Sequence, residues 1–239
     1  SDDFEVRDDI PAAHREAWEA LARPGTWWTG AERVAIAQET RHATSCELCA
    51  ARRQALQPAT VAGEHASSTE LPAGAIEAAH RIVTDQGRIT RRWVDSVTSD
   101  ISVEQYVELA GVVVLVFSID EFNRGLGFEL EPLPEPVAGE PSRHRPEVLE
   151  SATGFVPMVA LDGAVGDEAD LWANVRSANV LRALTLVPNA FREWRAVAGA
   201  QYLSFPNMAN FEQPPDRSLH RMQIELVAGR VSAINECFY

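Results

Sequence analysis

The sequence predicts an all-α protein, on three observations. Apolar residues recur three and four positions apart along most of the chain, the period of one helix face. Proline and glycine fall between these periodic segments, not at the regular short intervals that mark a β-sandwich. Residues suited to cap helices stand at the starts of the two clearest segments, Thr29 and Ser102.

The elements follow in order. A short helix is expected from Pro11 to Ala22. Thr29 opens the next, with Glu32 at the capping-box position, and that helix carries Val34, Ile36 and Ala37 to about His42. Thr44 and Ser45 break it, and Cys46 opens a helix through Leu56. Pro72 sits in the first turn of a helix with Ile76, Ala79, His80 and Val83 that ends near Gly87. Ser102 caps the longest helix, Val103 to about Arg124, with Gly127 just beyond. Its run from Val112 to Phe117 has strand-like propensity, but Glu104, Tyr106, Val107, Ala110 and Phe122 keep helical spacing. A helix so apolar all round belongs at the centre of a bundle or in a subunit interface, and a homo-oligomer is expected.

From Glu131 to Pro146 the chain holds five prolines and no periodicity, which reads as a linker or an extended arm laid over a neighbour. Helices are expected after it over Glu168 to Leu186, Asn189 to Leu203 and Leu219 to Ile234. Trp27, Trp28, Trp93, Trp172 and Trp194 read as core or interface anchors.

The chain's 239 residues, 46% apolar and 23% charged, have an ordinary globular composition and can bury a substantial core. With 21 basic and 35 acidic residues the net charge is −14, which opposes binding to nucleic acid or anionic lipid. The stretch from Leu109 to Ile119 is uncharged but far shorter than the roughly 20 residues that span a bilayer. No membrane helix is expected, and SDDFEVRDDIP has no basic region followed by an apolar one, so a cytoplasmic location is expected.

Three cysteines cannot build a disulfide framework. Two of them form Cys46-Glu47-Leu48-Cys49, and the third, Cys237, lies near the end. In a reducing compartment such a pair points to redox or metal chemistry. A zinc site needs two further ligands, and neither a second Cys-x-x-Cys nor a His-x-x-x-His supplies them, so zinc ranks behind thiol chemistry. No cofactor or metal is therefore expected. Ser118, Ser204 and Ser232 lack a neighbouring His–Asp pattern, and no glycine loop suited to phosphate is found, which removes hydrolase and nucleotide readings.

QIELVAGRVSAINECFY at the end of the chain resembles the active-site helix of the alkylhydroperoxidase D and carboxymuconolactone decarboxylase family, whose catalytic members carry Glu, eleven residues, Cys-x-x-Cys, three residues and His. Glu225 and Cys237 stand at that interval, and ANVLRALTLVPNAFREW is similar to the helix pair before it in peroxidase-related members. The first half, AERVAIAQETRHATSCELCAARRQAL, has the same outline with Val34 and Arg53 where the family has Glu and His. EQYVELAGVVVLVFSIDEFNRGLG resembles the family's long helix. The resemblance implies a helical bundle of two diverged repeats, residues 1–130 and 151–239, joined by a proline-rich segment over 131–150. The second repeat stops where the family's second cysteine would stand, which implies either a boundary there or a UGA-encoded selenocysteine after Tyr239.

The resemblance implies reduction of small organic hydroperoxides by a dithiol that an unidentified thiol reductant restores. The candidate residues are Cys46, Cys49, His42, Arg53, Glu77 and His80 in the first half, and Glu225 and Cys237 in the second. The N-terminus of a helix lowers the pKa of its first cysteine, so Cys46 is expected as the exposed thiolate and Cys49 as the inner partner. In the family the inner cysteine usually meets peroxide; here the order is left open. Glu77 and His80, three apart on one helix, could form a carboxylate–imidazole pair, and His42 with Glu39 lies close before the thiols. Arg53 could hold a thiolate by charge. A plain surface or packing role competes for each of these. A catalytically inactive binding or assembly module, and a lactone decarboxylase-like enzyme, are the alternative functions.

Overall fold

The computed structural model describes residues 5–151, 154–172, 179–208, 210–214 and 217–234. The chain is mostly helical. Helices α1 (Asp9–Ala22), α2 (Gly30–Ala43), α3 (Glu47–Gln54), α4 (Ala73–Thr84), α5 (Arg91–Val97) and α6 (Val103–Leu126) precede the proline-rich segment. After it come a two-residue hairpin of β1 (Leu149–Glu150) and β2 (Met158–Val159), then α7 (Asn179–Arg182), α8 (Pro188–Gln201), α9 (Phe205–Met208) and α10 (Arg221–Ile234).

Local signals account for the main boundaries. Thr29 and Ser102 each accept from the backbone N–H three residues on, while Glu32 and Gln105 reach back, so both helices start with complete capping boxes. At the end of α6, Gly127 takes φ 73°, and Gly127 and Phe128 donate to the carbonyls of Arg124 and Asn123. That is a Schellman close, which glycine adopts without a Cβ penalty.

Helix α6 is the axis of the fold, packed against α2, α4 and α8. Leu109, Leu115 and Ile119 are fully buried within the one chain, each contributing about 1.5–3 kcal/mol by leaving water. The centre-of-bundle reading therefore applies, and this helix supplies no reason for an oligomer. Val187, Ala190 and Val197 of the α8 region join the same core as α1, α2 and α4. Among the described residues no helix is long and apolar enough to cross a membrane.

The proline-rich segment is an arm, not a free linker. Trp18 Nε1 donates to Pro132 O at 2.9 Å, Arg41 to Glu131 O at 2.8 Å, and Val137 N to Ala22 O at 2.7 Å. Arg41 also holds the buried Asp120 of α6 through two hydrogen bonds of 2.8 Å, so arm, α2 and α6 meet at one guanidinium.

Two expectations are corrected. Residues Glu168 to Leu186 do not form the predicted helix: Gly166–Glu168 is a 3₁₀ turn, α7 is four residues long, and 173–178 lie outside the described residues. Tertiary hydrogen bonds claim this segment. Arg182 is buried and donates to Val159 O at 2.9 Å, while the Thr185 hydroxyl takes Val159 N–H at 3.0 Å and donates to Arg182 O at 2.7 Å. Such side-chain bonds compete with the helix ladder. The second correction is the hairpin itself, paired antiparallel as Leu149 with Val159 and Glu150 with Met158, which the helical pattern does not foretell.

Candidate functional site

The site lies where α2, the start of α3, the loop after α3, and α4 converge. Cys46 is the N-cap residue of α3, so its side chain stands at the helix start, and Cys49 follows one turn along. The loop, irregular from 61 to 72, carries His65, Ser67 and Thr69; α2 supplies Glu39 and His42; α4 supplies Glu77 and His80.

Two histidines face the thiols. His65 Nδ1 lies 3.4 Å from Cys46 Sγ and 3.6 Å from Cys49 Sγ, and His80 Nδ1 lies 3.3 Å from Cys49 Sγ. The other nitrogen of each ring meets a carboxylate: His65 Nε2 donates to Glu77 at 2.9 Å and His80 Nε2 to Glu39 at 2.9 Å. Both carboxylates are themselves held. Ser67 and Thr69 donate to Glu39 at 2.6 and 2.7 Å, and Arg52 and Trp93 donate to Glu77 at 2.7 and 2.9 Å. The result is two carboxylate–imidazole–thiol chains meeting at one dithiol.

Burial and hydrogen bonding set the charges. Burial opposes ionisation of Glu39, but hydrogen bonds from Ser67, His80 and Thr69 outweigh it and lower its carboxyl below the ordinary range. Burial likewise opposes ionisation of Glu77, and His65, Trp93 and Arg52 bring it to about 2. Burial disfavours the His65 imidazolium, yet its bonds to Cys49, Glu77 and Cys46 push it up to about 10. His80, fully buried, is lowered by desolvation against the pull of Glu39. At Cys46 burial raises the thiol, while His65 and the Cys49 N–H and sulfur bring it below its usual value.

Several sequence readings change. Cys46 is not exposed: it and Cys49 are only 3% and 5% accessible, because the loop folds back over the helix start. Glu77 does not pair with His80; it faces His65, and His80 takes Glu39 instead. Arg53 is exposed, and its neighbour Arg52 points into the site. His42 stands at the edge, with Nδ1 3.9 Å from Glu39 and its ring edge-on to His80. Trp93 is half-buried and anchors Glu77 rather than serving only as packing. Glu225, on α10, is bonded to Tyr202 and Arg221 and to no member of this cluster, and Cys237 lies outside the described residues. His65 is the residue sequence reasoning missed. It sits in the polar stretch VAGEHASSTE, where no periodicity marks it, fifteen positions before His80.

Beside Cys49 is a small chamber of about 10 Å³ bounded by Arg52, His65, Glu77 and Arg81. An open groove of about 840 Å³ shares Arg52, Glu77 and Arg81 with it, so these three side chains stand between the groove and the thiol. Fold and site together define a helical protein with a buried two-cysteine, two-histidine centre. Compared with known proteins, the chain matches no family model, no curated protein and no solved structure.

Proposed function

We propose that the protein is a thiol-dependent reductase of small hydroperoxides, acting through Cys46 and Cys49. The observation that carries this reading is the contact of Cys49 Sγ with His80 Nδ1 at 3.3 Å, with His80 held from behind by Glu39. With its Nε2 hydrogen committed to the carboxylate, a neutral His80 presents the Nδ1 lone pair to the thiol, the arrangement of a general base. Cys49, the thiol paired with His80, meets the peroxide.

The steps balance without a metal or cofactor. His80 takes the Cys49 proton, and the thiolate attacks the distal peroxide oxygen. The O–O bond breaks, leaving a sulfenic acid on Cys49 and an alkoxide that recovers the proton from His80 as alcohol. Cys46 sulfur then attacks Cys49 sulfur; the S–O bond breaks and the hydroxyl leaves as water with the Cys46 proton, relayed by His65. Two thiols and one hydroperoxide become one disulfide, one alcohol and one water, and an external thiol reductant restores the pair by exchange.

The test is mass spectrometry of thiol-blocked, metal-free protein before and after stoichiometric cumene hydroperoxide. A disulfide-linked peptide joining Cys46 and Cys49, lost in the His80→Ala variant, supports the reading. Persistence of both thiols in the reduced state overturns it.

A further inference from the structure

The same four side chains have a second capacity that peroxide chemistry does not require. One donor atom from each of Cys46, Cys49, His65 and His80 lies within 4.8 Å of the other three. A tetrahedral zinc ion with Zn–S of about 2.3 Å and Zn–N of about 2.0–2.1 Å places neighbouring sulfur and nitrogen ligands roughly 3.5 Å apart. The three sulfur–nitrogen contacts here are 3.4, 3.6 and 3.3 Å. Thus three of the six edges of a zinc tetrahedron already have about the length that the ion imposes, and the other three are bounded at 4.8 Å.

The outer partners fit as well. A histidine that ligates zinc usually donates its other N–H to a carboxylate or carbonyl, which fixes the ring and the tautomer. Here Glu77 and Glu39 do this for His65 and His80, each at 2.9 Å and each anchored by two further donors. Both ligating nitrogens are then the Nδ1 atoms that face the sulfurs. The donors come from three separate parts of the fold, the start of α3, the following loop and α4. Two thiolates neutralise a divalent ion, and four protein ligands leave no open position, the pattern of a structural rather than a catalytic zinc.

We propose that Cys46, Cys49, His65 and His80 form a closed tetrahedral zinc site that ties the 61–72 loop to α3 and α4. Soft sulfur with imidazole in a tetrahedral S₂N₂ set selects zinc over magnesium or calcium. The ligation does not rest on the peroxide reading but competes with it for the same thiols: a bound ion holds both sulfurs as ligands and withholds them from peroxide, so the two chemistries belong to the loaded and the metal-free protein.

The experiment uses the full chain, reduced, stripped with chelator and kept free of oxygen and peroxide. Titration with cobalt(II) should saturate at one ion per chain. It should give the intense visible bands of tetrahedral cobalt and an ultraviolet thiolate-to-metal charge-transfer band, and equimolar zinc should displace both. Glu77→Gln should weaken zinc binding roughly 10–100-fold, the usual cost of removing an outer partner; His65→Ala should lose the tetrahedral spectrum; Cys237→Ser should bind as the parent does. If His65→Ala fails a circular-dichroism check of folding, the parent spectrum and Glu77→Gln decide the matter. An octahedral cobalt spectrum, no saturable uptake, or loss of binding in Cys237→Ser overturns the proposal. Oxidation of the metal-free protein is scored separately, so zinc uptake without disulfide formation sinks only the peroxidase reading, and disulfide formation without zinc uptake sinks only this one.

Discussion

Replacing Glu39 by Gln tests the buried half of the site most directly. Glu39 is fully buried and accepts three hydrogen bonds, from Ser67 at 2.6 Å and Thr69 at 2.7 Å on one oxygen and from His80 Nε2 at 2.9 Å on the other. A glutamine oxygen can keep the two hydroxyl bonds. Its amide nitrogen then opposes His80 Nε2, donor against donor, so His80 moves its hydrogen to Nδ1, where it points at Cys49. A charge-assisted hydrogen bond is exchanged for a neutral one from the amide to Nε2, a difference of about 1–1.5 kcal/mol, and for a domain of this size that lowers the melting temperature by about 2–6 °C. The base is lost too, so the rate of peroxide-driven disulfide formation in metal-free protein should fall by roughly 10²-fold or more. Glu39→Leu should be worse in stability, because the fully buried His80 Nε2 then has no partner at all, while the exposed Ser67 and half-buried Thr69 can turn to water. The assays are a thermal melt by circular dichroism and quenched-flow trapping of the Cys46–Cys49 disulfide. A Gln variant that melts within about 1 °C of the parent and oxidises at the parental rate refutes the reasoning, as does a Leu variant more stable than Gln.

Three further outcomes are expected. Arg52→Ala should slow oxidation of the dithiol, since Arg52 holds Glu77 at 2.7 Å, while Arg53→Ala, at an exposed position, should match the parent; equal effects from the two would remove Arg52 from the site. Glu108 is buried, and burial outweighs Arg33 and the N–H groups of Trp27 and Thr26 to raise its carboxyl above the ordinary 4.5. The folded value exceeds the unfolded one, so the stability it contributes is full below about pH 4.5 and is lost as pH rises through the folded value. The difference in urea midpoint between the parent and Glu108→Gln should therefore decline over that window, and a difference flat in pH contradicts it. Gly111 of α6 faces α8 so closely that a Cβ would lie 2.8 Å from the Ala190 Cβ. Gly111→Val should cost about 1–3 kcal/mol by overpacking, read as a lower urea midpoint; an unchanged midpoint would show that α8 does not pack here.

Much of the helical framework was legible because its signals act over three or four residues. Thr29 with Glu32, the Ser102 cap, and Gly127 just past the helix each satisfy helix-end groups from within one turn, and those bonds form wherever the helix goes; the Gln105 half of the Ser102 capping box emerged only in the structure. Cys46 and Cys49 were equally legible as a pair, one turn apart by spacing alone. The apolar character of Leu109 to Phe117 marked that helix for burial, yet what covers it, α2, α4 and α8 of the same chain, was a matter of packing.

The site was decided by contacts that no local rule reaches. His65 and Cys49 are 16 positions apart, and His80 and Glu39 are 41 apart. The spacing of Glu77 and His80 suggested that they pair, but each ring and each carboxylate found a nearer partner once α2 and the 61–72 loop closed around α4. Arg52 rather than Arg53 points inward for the same reason, since only the register of α3 against α4 tells the two apart. The segment from Glu168 to Leu186 shows the converse: its sequence has a helical period, but its described residues give only a 3₁₀ turn and the four-residue α7, with Arg182 and Thr185 bonded to the Val159 backbone. Periodicity in sequence fixes which side of an element turns from water, because burial is additive along a face. It cannot rank competing polar partners, because a buried hydrogen bond is settled by which groups the tertiary fold brings within about 3 Å.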